Sequence, residues 1–159
     1  MTAEMGFAAG QDLKDGSPAR IFLVVSTIYH SLLGVLGLVV DQTFPLSSAA
    51  AARANSDFVF GVFETNGWHS VAGLGVAAAS FFFVVRSHRA AEGALAIGIS
   101  QLFVVAAFAF EDPSTFLFAS NGADQVIHSL TAIGGIVTGV VTLMLKRKVG
   151  RRPRPPVAA

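Results

Sequence analysis

The chain has 159 residues, 53% hydrophobic and only 13% charged, with a net charge of +1 and a mean hydropathy of +0.63. Soluble domains carry about 25% charged residues, so this chain could not clothe a water-soluble globule, and lipid must be the solvent for most of it. Cysteine is absent, which removes disulfides, thiolate metal sites and a cysteine nucleophile.

Residues 1–18 form a polar, cytoplasmic N-terminal segment, and Ser17-Pro18 suits the first turn of a helix. Four apolar runs follow within a membrane domain at 19–146, with helices expected at about 20–41, 58–86, 90–111 and 122–146. Each run approaches or exceeds the roughly 20 residues a helix needs to cross a hydrocarbon core. The runs are continuous rather than alternating, and at this length only helices satisfy their own backbone in lipid. The first run is too long for a signal-peptide core of about 7–15 residues, although LSSAAAARA after it has cleavage-like spacing; retention is the expectation.

The first outer loop, 42–57, carries an alanine run at 49–54 able to form a short interfacial helix, with Asn55, Ser56 or Asp57 capping helix two. The short turn RSHRA makes helices two and three antiparallel neighbours. Pro113 stops helix three, the second outer loop covers 112–121, and Asn121-Gly122 opens helix four. The tail at 147–159 is basic, proline-rich and extended.

Charge orients the bundle. Arg86, His88 and Arg89 occupy the second connection, and Lys146, Arg147 and Lys148 open the tail, whereas the third connection has no Lys or Arg. The positive-inside rule then puts both termini in the cytoplasm and gives those six residues to anionic lipid headgroups. The fold class is all-α: a polytopic, multi-pass four-transmembrane-helix bundle with both termini cytoplasmic. Small residues at close spacing, Gly34 and Gly37, Gly73 and Ala77, Gly135 and Gly139, serve helix packing inside the bundle or against a partner.

Three of the four histidines lie in apolar runs, each followed by serine: His30, His69 and His128. Asn-Gly precedes two of them, at Asn66-Gly67 and Asn121-Gly122. With helix two beginning at 58, the three imidazoles and Gln101 of helix three fall within roughly 8–16 Å of one membrane boundary. Every helix thus supplies one strong hydrogen-bonding side chain to a common layer. Thr65 and Asn66 share the helical face of His69, Asp124 lies one turn before His128, and Glu64 stands at the mouth. Tyr29 and Trp68, each beside a membrane histidine, read as packing. Intramembrane ionisable residues are functional candidates by default. The competing interpretation is interhelical hydrogen bonding, and no H-x-x-x-H or H-E-x-x-H spacing points to a metal. No metal or other cofactor is expected.

The segment FGVFETNGWHSVAGLGV, with the later NGADQVIHSLTAIGGIVTG, resembles a bacterial four-helix membrane family known only as a domain of unknown function, number 4383. The most specific element is G-x-F-x-x-N-x-x-H at 61–69, with an Asp and a following His in helix four. The resemblance spans about 20–145 and implies roles for Asn66, His69, Asp124 and His128. Position 73 is glycine where the resemblance implies a second helix-two histidine.

No nucleotide loop, nucleophile elbow or zinc-protease helix is present. The leading expectation is a non-enzymatic accessory or scaffold protein, associating with itself or a larger membrane complex and with membrane lipid, and not with nucleic acid. The alternative is a small-molecule or proton-linked protein using a polar funnel lined by His30, His69, Gln101 and His128. A haem or metal redox protein is the third.

Overall fold

A computed structural model describes residues 16–47, 57–110 and 120–150. The alanine run at 49–54, the cap candidates Asn55 and Ser56, the stop at Pro113 and most of both terminal segments lie outside the described residues. The elements are α1 (Pro18–Val40), β1 (Asp57–Val59), β2 (Phe63–Thr65), α2 (Gly67–Val85), a 3-10 turn (Ser87–Arg89), α3 (Ala90–Phe110) and α4 (Gly122–Gly150). The four long helical stretches have mean hydropathies of 1.6 to 2.0 and are long enough to cross a membrane.

The distribution of side chains inverts that of a soluble core. The largest fully buried side chains are Leu23, Thr142, Ser17 and Ser80, while Ile21, Ile28, Phe81, Phe103 and Ile133 are each more than half exposed. Large apolar groups need no burial when the solvent is itself apolar, and small or hydroxyl side chains let backbones approach. The helices close in two tight pairs, α1 with α2 and α3 with α4, and the pairs meet more lightly across the other seams. Although a short turn joins α2 to α3, each packs more extensively on its other partner.

Close approach is extreme between α3 and α4. A Cβ on Gly135 would sit 2.6 Å from the Ala94 carbonyl oxygen and 2.7 Å from the Gly98 Cα. Between α1 and α2, a Cβ on Gly37 would collide with the hydroxyls of Ser70 and Thr65. Further along that seam Ser26 Oγ and Ser80 Oγ are 3.0 Å apart. The paired glycines of α1 and α4 are thus used inside the bundle.

Helix two begins later than its apolar run suggests. Residues 58–65, expected as helix, form an antiparallel hairpin with Asp57 opposite Thr65 and Val59 opposite Phe63. At its tip Phe60 and Gly61 have φ of 56° and 68°, and Val62 N–H donates to Val59 O at 3.2 Å. Two successive left-handed residues are what a type I′ turn requires. Gly61 adopts that shape freely, whereas Phe60 costs on the order of 1 kcal/mol. The aromatic and β-branched run suits a pleat, and Asn66 in extended conformation, φ −146°, starts the helix only at Gly67.

Helix four continues past 146 to Gly150, placing Arg147 and Lys148 in its last turns. There they complement the negative end of the helix dipole. The first helix is capped by Ser17, whose Oγ accepts from Arg20 N–H at 3.3 Å, with Pro18 in the first turn.

Candidate functional site

The two Asn-Gly pairs prove to be equivalent helix starts. Asn66 Oδ1 accepts from His69 N–H at 2.9 Å, and Asn121 Oδ1 accepts from Ala123 and Asp124 N–H at 2.9 and 3.1 Å. Asp124 Oδ2 accepts in return from Asn121 N–H at 2.9 Å, a closed capping box. Each asparagine therefore places a titratable side chain three residues on, at the same helical position: His69 in α2 and Asp124 in α4. His128 follows Asp124 by one turn.

Cross-braces hold these starts together. Asn121 Nδ2 donates to Val62 O at 2.8 Å, tying the hairpin to α4. Gly67 N–H donates to Thr43 O at 2.8 Å, and Trp68 Nε1 donates to Pro45 O at 3.0 Å, tying the segment after α1 to α2. Phe44 stacks edge-on against Trp68 with centroids 5.2 Å apart. Trp68 is therefore a packing residue with a satisfied indole. Thr65, expected on the helix-two face of His69, and Glu64, expected near the outer end of that helix, lie instead on β2.

His69 is consequently in the first turn of α2, not some ten residues into it. The histidines converge nonetheless. His69 and His128 have ring centroids 6.0 Å apart. Both, with His30, border a pocket of about 40 Å³ that Glu64, Thr65 and Asp124 also line. The same three histidines border a second pocket of about 120 Å³, reaching Gln101 and Ser120. The sites proposed from sequence, Asn66 excepted as a cap, thus meet around adjoining cavities at the hairpin end of the bundle.

Each imidazole is oriented through Nδ1. His30 Nδ1 donates to Ser26 O at 2.8 Å, His69 Nδ1 donates to Glu64 O at 3.1 Å, and His128 Nδ1 donates to Gln101 Oε1. A carbonyl oxygen can only accept, so the proton of each neutral ring belongs on Nδ1 and the lone pair on Nε2. Among the described residues no protein group bonds any of the three Nε2 atoms. Only His128 bonds to another helix; His30 and His69 bond within their own helix or its lead-in. The imidazoles are therefore aimed more than they are cross-linked.

The geometry limits what can sit there. Among the described residues no three of His, Cys, Asp and Glu are grouped to hold a metal ion. A cavity accepts a water once it offers on the order of 10–15 Å³, so the pockets suit waters or a small polar head and are far too small for a macrocycle.

The basic residues gather at the opposite end. Arg86 ends α2 with its guanidinium 3.8 Å over the Phe82 ring, and Lys146 Nζ donates to His88 O at 2.8 Å. Arg86, His88, Arg89, Arg147 and Lys148 are exposed. Sequence reasoning passed over Ser26 and Ser80. Ser26 lies one turn before His30, the spacing at which a helix carbonyl meets an imidazole, and that spacing was the available signal. Tyr29, read as packing, borders the smaller pocket.

A family model described as "Domain of unknown function (DUF4383)" matches residues 20–141, and the chain belongs to that family. No curated protein and no solved structure matches it.

Proposed function

Starting from membership of a family without an assigned reaction, we propose that this multi-pass membrane protein binds a small hydrogen-bond donor in the three-histidine pocket. The observation that carries this reading is the set of three Nε2 lone pairs, without a donor among the described residues, around shared cavities. Asp124 and Glu64 beside them favour a positively charged or N–H-bearing guest. The reading is non-enzymatic: the imidazoles act as acceptors toward the guest. We place the protein in a bacterial cytoplasmic membrane, and its charge asymmetry supports an orientation with the basic end and both termini inside and the pocket facing out.

Nitrogen NMR of histidine-labelled protein in lipid nanodiscs tests the reading. On titration with ammonium chloride the Nε2 signals of His69 and His128 should move and saturate. His69→Gln and His128→Gln should each weaken the ammonium response. Signals insensitive to ammonium would mean sealed rings and would end the proposal.

The accessory or scaffold reading stands second, supported by the short connections and broad lipid-facing surface. It is weakened because Gly37, Gly98, Gly135 and Gly139 are occupied within the bundle. Purification in mild detergent as a lone, stable monomer would count against it.

A further inference from the structure

The pocket has a flank as well as a mouth. Where α1 meets α4, a lightly packed seam, a groove of about 270 Å³ runs between Phe22 and Val25 on one side and Leu130 and Gly134 on the other. Its polar lining is Ser26, Tyr29, His30 and Thr131. Val25 and Leu130 are 59% and 60% exposed on helices long enough to span a bilayer, so what meets this groove is hydrocarbon. His30 borders the groove and both histidine pockets. It is the wall they share.

We propose that this groove admits an alkylphenol-like amphiphile from the bilayer, its chain along the apolar walls and its hydroxyl donating to His30 Nε2. The proposal rests on the pocket reading above and adds a ligand class and a route. A purely apolar molecule would leave Nε2 desolvated and unpaired, a cost that buried acceptors avoid. A charged head would have to leave its hydration shell on the lipid side. A hydroxyl meets both constraints: it donates to the imidazole and can accept from the phenol of Tyr29, for which the described residues offer no hydrogen-bond partner. The aromatic rings of Phe22 and Tyr29 on the lining favour an aryl head over a plain alcohol.

The experiment uses the full chain with labelled histidine in nanodiscs and para-octylphenol as the probe. A saturable movement of the His30 nitrogen signals is expected. Para-octylanisole, alike in shape but without the O–H, should bind about tenfold more weakly, the equivalent of one hydrogen bond. Gly134→Leu should obstruct the groove, since a Cβ there lies 3.3 Å from the Phe22 ring and the longer side chain must project between the walls. Leu130→Trp, at an exposed wall position, is an independent block should the first variant fold poorly. A retained ammonium response at His69 and His128 certifies the fold of either.

Equal binding of phenol and anisole would overturn the hydroxyl assignment. Unchanged phenol binding in a correctly folded blocked variant would overturn the groove. Absence of any His30 response while ammonium still moves His69 and His128 would remove the lateral ligand and leave the pocket standing. Absence of both responses would remove both readings.

Discussion

The two helix pairs close by different chemistry. In α3–α4 the backbones touch, glycine against glycine, with Gly98 and Gly135 at the point of contact. In α1–α2 a glycine faces hydroxyls, Gly37 against Ser70 and Thr65, and a serine pair bridges the seam further along. The first seam depends on shape and tolerates no added atom. The second includes groups that can exchange donors and acceptors, and it leads into the histidine pocket through Thr65, Ser70 and His30. Rigid closure on one side and a polar, adaptable seam on the other is a division of labour within one small bundle.

The strongest test of that contrast is Gly135→Leu. Its Cβ would lie within 3 Å of the Ala94 and Gly98 backbone, so the helices must separate; overpacking costs about 1–3 kcal/mol and more when the backbone must move. We expect loss of monodisperse protein in detergent chromatography, or the largest fall in thermal midpoint of any variant here. An unaltered midpoint would show that α3 and α4 do not touch.

Next comes the pair of caps. Replacing either asparagine with alanine should cost about 1 kcal/mol, but Asn121→Ala also cuts the bond to Val62. Hydrogen exchange at residues 57–65 should therefore accelerate in Asn121→Ala and stay closer to the parent in Asn66→Ala. Equal protection in both would deny the hairpin its tie to α4.

Ser80→Ala removes one hydroxyl from the polar seam and should lower stability by about 0.6 kcal/mol, the usual worth of such a bond in a membrane bundle. Gly73→Ala should change least, within about 0.5 kcal/mol, because its Cβ would find only ordinary contacts at 3.7 and 3.8 Å. If melting curves placed Gly73→Ala beside Gly135→Leu, the distinction between the seams would collapse.

The four crossings were legible because length and hydropathy are physical requirements of the bilayer, independent of packing detail. The start of α2 was not. Phe58 to Phe63 is as apolar as the helix it precedes, so hydropathy extends the helix over it. The corrective signals were chemical: Gly61 at a turn, aromatic and β-branched residues around it, and Asn66 in a residue type that caps helices. Misplacing that start put His69 too far along its helix, yet the grouping of His30, Gln101 and His128 depended only on the other helices. The orientation of the rings lay beyond the sequence, because it is set by the carbonyls of Ser26 and Glu64, whose positions exist only after folding. His128 is the partial exception, since its partner Gln101 was already in the expected layer.

The hairpin also sets how deep the molecule rides. A two-stranded ribbon leaves amides and carbonyls along both outer edges, and each unsatisfied one in hydrocarbon costs several kcal/mol. It must therefore stay among hydrated headgroups, while Phe58, Phe60 and Val62, 48%, 68% and 48% exposed, can dip toward the acyl chains. From there the 19 residues of α2 reach about 28 Å at 1.5 Å per residue, close to the roughly 30 Å of a bilayer core. The ribbon is a waterline mark: in a thicker or thinner membrane the helices should change tilt while the ribbon keeps its level.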